Sequence, residues 1–250
     1  MLREDNEDYL AHFDTGLGYC IAICDGMGGH TAGQVAAQTA IVAIQKYLQD
    51  PQNSSRPIVL ELKNAIEFAN FQLLQLIKER PALAGMGTTC VLALINNHQL
   101  YTAHAGDSRI YLIRDKSMQQ ITKDHSAVQQ LVDEGILTRK EARLSAKKNE
   151  ILKAIGIFDR VSPTVLENPI NLDANDRVLL CSDGLTDLVS EADICDTVTA
   201  IEDVQAASVR LVELANINGG LDNITVQIVH CSANVFNGPS TNTVNKNSRG

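Results

Sequence analysis

The stretch Tyr19 to Val35, YCIAICDGMGGHTAGQV, constrains this chain more than any other. Cys20, Ile21, Ala22, Ile23 and Cys24 form an apolar run of the length of a buried strand. The run stops at Asp25, glycines follow at 26, 28 and 29, and Thr31 is placed to cap a helix beginning in TAGQVAAQ. A carboxylate at the end of a buried strand, beside a loop too small to cover it, reaches a ligand or a metal. A tight Asp-Gly turn would explain one such stretch, but the device recurs. The apolar strand Val178 to Cys181 ends in Ser182-Asp183-Gly184.

The periodicity around these stretches predicts the fold class. Apolar residues recur at helical spacing from about Gly33 to Leu48 and from Ile58 to Ile77, where Leu62, Ile66, Ala69, Leu73 and Leu76 share a face. Arg80-Pro81 ends the second helix. From Gly85 the period becomes strand-like. Thr88 to Ile95, Gln99 to Ala105, Ile110 to Ile113 and Met118 to Thr122 read as one antiparallel meander, broken at Gly106-Asp107-Ser108. Consecutive strands after two helices exclude a simple alternating βαβ chain and predict an α+β fold.

Lys123 to Ile155 reads as a mobile surface excursion with few large apolar anchors: a helix closed by Gly135, a polar helix from Thr138 to Lys148, and a further turn to Ile155. Strands at Pro163 to Glu167 and Arg177 to Cys181 follow, then helices at Glu191 to Ala200 and Val204 to Asn216. Gly219-Gly220-Leu221-Asp222-Asn223 leads into a last strand, Ile224 to Val229. There is no repeat and no linker, so residues 1–231 are expected to form one domain. Residues 232–250, rich in Asn, Ser and Thr, read as a disordered polar tail.

Composition narrows the partners. A formal charge of -9 argues against nonspecific nucleic-acid binding, and no apolar run is long enough to cross a bilayer. The six cysteines show no CxxC pair and mostly sit in apolar runs, so they read as buried free thiols in a reducing, cytoplasmic setting, with zinc disfavoured.

The chemistry follows from carboxylates. Asp25, Asp183 and Asp222 flank apolar strands beside glycine or asparagine, and Asp107 sits in a break between strands. Four such groups converging at sheet ends would repel one another and raise their own pKa values. Divalent cations resolve this, and oxygen-only ligands select magnesium or manganese, both of which fit. A pair of ions ~3.5–4 Å apart holds a bridging water and lowers its pKa toward ~7, which suits hydrolysis of a phosphate ester. An arginine would grip the phosphate oxygens through its planar fork.

The ordered series Arg3-x-x-Asn6-Glu7-Asp8, Asp25-Gly-Met-Gly-Gly-His30, Gly85-Met-Gly-Thr-Thr, His104-Ala-Gly-Asp107-Ser-Arg, Leu180-Cys-Ser-Asp183-Gly-Leu and Gly220-Leu-Asp222-Asn223-Ile-Thr-Val resembles the motif set of the metal-dependent type 2C protein phosphatases in their bacterial form. The likeness runs from Arg3 to about Val229. It implies a four-layer α/β/β/α sandwich, two central antiparallel sheets flanked by helix pairs, with the metals at one end. It further implies a serine/threonine phosphatase in which a metal-bridging water attacks phosphoserine or phosphothreonine. Asp25 would bridge two Mn²⁺ or Mg²⁺ ions and the Gly26 carbonyl would bind one. Asp183 and Asp222 would hold the first ion and Glu7 the second, with Asp8 acting through water. Asp107 with Asp183 resembles a third, weaker site. Arg3 would bind the substrate phosphate, Asn223 would orient Asp222, and Lys123 to Ile155 would be the flap that influences substrate choice. Phosphorylated protein substrates, an opposing Ser/Thr kinase and a monomeric state are the partners and assembly implied.

Two departures qualify the resemblance. Met27 stands where eukaryotic members often place a histidine, leaving the general acid open, whereas His30 reads as a helix-start hydrogen-bonder and His104 as a core residue. The family also carries a strand before the first motif. Almost nothing precedes that motif here, so the first strand is expected to be missing, which would expose a sheet edge and weaken the seating of Arg3 and Glu7. Two other classes compete: an inactive family member serving as a binding module, and a dinuclear-metal phosphodiesterase or nuclease, whose usual histidine-rich ligand set is absent.

Overall fold

The computed structural model describes residues 5–232. Arg3 and the tail expected after residue 232 therefore lie outside the described residues. The chain starts with a hairpin, β1 (Asp8–Thr15) and β2 (Gly18–Met27), in which Asp8 pairs with Asp25. Helices α1 (His30–Leu48) and α2 (Ile58–Glu79) follow, then β3 (Gly87–Thr88), β4 (Cys90–Asn96) and β5 (Gln99–Ala105). Next come β6 (Arg109–Arg114), β7 (Ser117–Gln120), α3 (Ala127–Asp133), α4 (Arg139–Leu144), β8 (Thr164–Val165) and β9 (Ile170–Asn171). The chain closes with β10 (Arg177–Cys181), α5 (Asp183–Thr186), α6 (Glu191–Ala200), α7 (Val204–Ile217) and β11 (Val226–His230).

The strands form two antiparallel sheets. One runs β1-β2-β4-β5-β8, with β3 on β2 and β9 on β5; the other runs β11-β10-β6-β7. The expected single meander is thus split. β4 pairs with β5 and β6 with β7, but β5 and β6 belong to different sheets, and Gly106-Asp107-Ser108 is where the chain crosses. Strand period alone sets which way a side chain faces and says nothing of which strand lies next door.

The alternation of side chains builds the layers. Along β2, Cys20, Ala22 and Cys24 pack into the core under α1 and α2, while Ile21 and Ile23 face the other way. Along β10, Val178 and Leu180 join that inter-sheet core, while Leu179 and Cys181 pack with residues of α6 and α7. Three apolar layers result, and the order is helices, sheet, sheet, helices. The buried face of α2 is Leu62, Ala65, Ile66, Ala69, Asn70 and Leu73, at helical spacing. Small residues on α1 (Ala36, Ala37, Ala40, Ala43) are buried in the same core.

Local details differ from the sequence reading. The α1 cap position is Gly29, without a side-chain hydrogen bond, so Thr31 lies inside the first turn. α4 ends at Leu144 rather than near Lys148, and Ile151 and Ile155 form isolated bridges to Ser126 and Thr88 instead of a helical turn. All six cysteines are free and buried, and burial pushes the Cys20 and Cys181 thiols up to about 12. Among the described residues, no helix is long and apolar enough to cross a membrane.

Ile66 is fully buried between α2 and the first sheet. Ile66→Ala should cost about 2–5 kcal/mol in urea unfolding, with the slope m unchanged. A cost below about 1 kcal/mol would mean that this layer collapses around the deletion.

Candidate active site

The acidic residues collect where the ends of the two sheets meet. Asp25 lies near the end of β2 and its register partner Asp8 at the start of β1. Asp183 is the first residue of α5, directly after β10, and Asp222 lies just before β11. Asp107 occupies the crossover between β5 and β6. Glu7, Asp25, Gly26, Asp107, Asp183 and Asp222 line one cavity of about 740 Å³. Asp8 is buried behind them. Seven of the eight residues singled out in the sequence are therefore together, and Arg3 lies outside the described residues.

Backbone contacts explain why Asp25 and Asp183 are each followed by glycine. Neither Gly26 nor Gly184 has a positive φ, so neither is there to make a turn. A Cβ on Gly26 would collide with the Gly33 carbonyl and come within 2.7 Å of the Glu7 carbonyl oxygen. A Cβ on Gly184 would collide with the Asn223 carbonyl oxygen. In both places the strand end presses against a neighbouring segment that carries a carboxylate, and only glycine leaves room.

Hydrogen bonds fix the carboxylates from behind. The Asp25 N–H donates to Thr89 Oγ1 at 3.0 Å, and that hydroxyl shares a 2.8 Å hydrogen bond with Ser108 Oγ. Thr88 Oγ1 and the Thr89 N–H both donate to the Asp25 carbonyl at 2.8 Å. Ser182 Oγ donates to Asp8 Oδ2 at 2.8 Å and accepts from the Thr225 N–H at 3.0 Å. Asn223 does more than orient Asp222. Its backbone N–H donates to Asp222 Oδ1 at 2.7 Å. Its side chain accepts from the Glu7 N–H and donates to the Asp5 carbonyl, both at 3.0 Å. Glu7 is thereby seated by Asn223 and by Gly26, whose N–H donates to the Glu7 carbonyl at 3.2 Å.

These carboxylates cannot all be ionised cheaply. Burial, followed by repulsion from Asp8, Asp183, Asp107 and Asp222, holds the Asp25 carboxyl well above the usual range. Burial also raises Asp8 and Asp107, and it raises Asp183 to about 7, with Asp187, Asp222 and Asp8 adding to it. Asp8 Oδ1 is buried without a hydrogen-bond partner among the described residues. Among those residues, no three acidic, histidine or cysteine side chains already form a tight ligand cluster. What they share is a cavity whose donors are all oxygen and whose charge calls for a hard cation.

Protein phosphatase 2C sequences match this chain over residues 6–131. Protein phosphatase PhpP of Streptococcus pneumoniae is 40% identical over 230 residues, covering 91% of this chain and 92% of that one. The chain belongs to the protein phosphatase 2C family. Solved structures from the family share the architecture. The Streptococcus agalactiae serine/threonine phosphatase superposes with a TM-score of 0.85 at 33% identity, covering 93% of this chain and 96% of that one. The catalytic domain of the serine/threonine phosphatase PstP, solved in complex with two manganese ions, gives a TM-score of 0.78 at 38% identity over 91% and 92% of the two chains.

Several residues of this phosphatase 2C site were not assigned a role from sequence. Thr88, Thr89 and Ser182 sit inside quoted motifs, but a hydroxyl's partner is decided by which strand ends meet. His104 is buried, as read, with Nε2 on the Lys123 carbonyl at 2.8 Å, and its ring stacks on His125 at 4.4 Å. Burial lowers both histidines, His125 to about 3, so both are neutral at pH 7. Neither lines the acidic cavity, whereas Met27 does. The segment from Lys123 to Ile155 is tied down at several points. Arg143 Nη2 donates to the carbonyls of Thr186 at 2.6 Å and Val189 at 3.3 Å, and Lys148 pairs with Asp187.

Asn223→Ala removes the acceptor of the buried Glu7 N–H, and should cost about 1–3 kcal/mol of stability measured by denaturant. A neutral result would show that Glu7 is seated by other contacts. The pH response has a definite sign. A carboxyl whose folded pKa is raised stabilises the fold when protonated, so the contribution of Asp183 is full below its unfolded value near 3.8 and is lost as pH rises through about 7. In EDTA the melting temperature should fall between about pH 5 and about pH 8, and saturating Mn²⁺ should cancel that fall. A flat profile in EDTA would contradict the repulsion described here.

Proposed function

We propose that this family member is a protein serine/threonine phosphatase using two Mn²⁺ or Mg²⁺ ions, with a third, weaker site at Asp107 and Asp183. The observation that carries this reading is the set of poorly solvated, mutually repelling aspartates in one cavity at the sheet ends. In the proposal Asp25, the Gly26 carbonyl, Asp183, Asp222 and Glu7 would hold the ions, with Asp8 behind them. When bound, the ions supply charge neutralisation and an acidified water for attack on the phosphorus. Asp25 would be held in place for this by Thr88 and Thr89, and Asp8 by Ser182. Arg3 would grip the phosphate oxygens. Met27 and neighbouring apolar residues lining the cavity would limit bulk water around the reacting group. His104 and His125, neutral and outside the cavity lining, are poorly placed to give the leaving group its proton.

The substrates would be phosphorylated proteins, set against a Ser/Thr kinase, and the chain would act as a monomer in the cytoplasm. The acidic composition and buried thiols support that setting.

Hydrolysis of a phosphothreonine peptide should require Mn²⁺ or Mg²⁺ and stop in EDTA. Asp183→Asn should lower kcat/KM about a thousandfold at fixed Mn²⁺ while leaving the melting temperature in EDTA unchanged or raised, because it removes a repelling charge. A folded, metal-loaded wild type without activity would favour the binding-module reading.

A further inference from the structure

The acidic cavity has a second chemical character. Ile151, Ala154, Ile157 and Phe158 line it together with the carboxylates. Ile157 is 40% and Phe158 48% exposed. Scattered exposed apolar side chains are ordinary, but these two are consecutive and lie in the cavity that holds the reacting groups.

Their backbone is also held from below. Asn70, on the buried face of α2, accepts from the Gly156 N–H at 2.7 Å and donates to the carbonyls of Phe158 at 3.2 Å and Asp159 at 3.4 Å. Ile155 exchanges backbone hydrogen bonds with Thr88, 3.0 and 2.9 Å long. The Ile157 side chain lies so close over Gly87 that a Cβ there would come within 2.6 Å of it. A buried asparagine in a helix face costs free energy unless all its bonds are made. Here they are spent on presenting two apolar side chains at the rim of a cleft. Such a shelf is ordered before anything binds, so a side chain landing on it gives up little further entropy.

We propose that Ile157 and Phe158 form a specificity shelf that receives an apolar side chain, leucine- or phenylalanine-like, adjacent in sequence to the phosphorylated residue. The proposal rests on the phosphatase reading and adds the class of phosphopeptide that the site prefers. The occupant is inferred from the continuity of the shelf with the reacting cavity and from its lack of polar side chains. The shelf lies after the segment expected to act as a flap, so it is a separate determinant. Ile157 and Phe158 do not touch the reacting atoms in this account; they position the peptide.

The test is a set of phosphothreonine peptides that differ only beside the phosphorylated residue, with Leu, Phe or the similarly sized but polar Gln placed before or after it. They are assayed with the full chain and Mn²⁺. The Leu-to-Gln ratio of kcat/KM should be about tenfold on at least one side, arising in KM, because partial burial of one such side chain is worth that much. The ratio should drop below about threefold in Phe158→Ser and Ile157→Ser, and stay at the wild-type value in Ile217→Ser, whose exposed side chain at the end of α7 lies outside both the cavity and the flap segment. A wild-type ratio near one, or one that survives both shelf substitutions, overturns the proposal. So does a Phe158→Ser variant that speeds every peptide alike, since the shelf would then be covered by the chain itself. Hydrolysis of no peptide at all overturns the phosphatase reading and the shelf with it, whereas equal hydrolysis of all overturns the shelf alone.

Discussion

Asp8 and Asp107 are buried, Asp25 and Asp183 are half-buried in the same acidic cluster, and each is pushed toward its protonated form. Charges of one sign at such depth raise the free energy of the fold, and Arg109 and the hydroxyls around them offset it only in part. Much of the local structure can be understood as what it takes to keep these groups together. Gly26 and Gly184 let backbones approach more closely than a Cβ permits. Thr89, Ser182 and Asn223 hold the acidic segments without neutralising them. The all-oxygen donor set suits a hard cation as the counter-charge for this arrangement.

The sandwich places this strain where it can be used. Each sheet is apolar on both faces, since one covers helices and the other covers its partner sheet. The strand ends are therefore the places where polar groups can emerge from the core. β2 and β5 deliver Asp25 and Asp107 from one sheet, while β10 and β11 deliver Asp183 and Asp222 from the other. The Thr89–Ser108 hydrogen bond and the Ser182–Asp8 hydrogen bond cross the seam between them. Rigid sheets on both sides limit how far the carboxylates can move apart, which is the preorganisation that a metal site needs.

Around this fixed centre the chain adds adjustable surfaces. Arg143 and Lys148 fasten the Lys123 to Ile155 segment to the residues just after α5, whose first residue is Asp183. Its expected looseness is thus bounded by charged anchors and by Ile155, which is buried in the core under α1 and α2. Beyond it, the shelf at Ile157 and Phe158 is carried by Asn70 of α2, outside that segment. Chemistry, segment and shelf rest on different parts of the scaffold.

Local patterns in the sequence were sufficient for the two strand–aspartate–glycine stretches, for the helical period of α1, for the buried face of α2, and for the burial of the cysteines and His104. Those properties depend on side-chain period and polarity, which are written along the chain. Glu7, Asp8 and Gly26 became legible only through the ordered motif series, because no local property distinguishes a ligand at the start of a polar cluster from a solvated charge. The crossover at Asp107 was mistaken for a break within one sheet, since pairing is a long-range choice that period does not encode. The Asn223 side chain on Glu7, 216 positions away, and the Asn70 support of Phe158, 88 positions away, had no sequence signal at all. The sequence by itself determined which residues are apolar, which are acidic and in what order they come. Only the tertiary structure decided which of them meet, because hydrogen bonding and close approach depend on where two sheets bring distant backbones together.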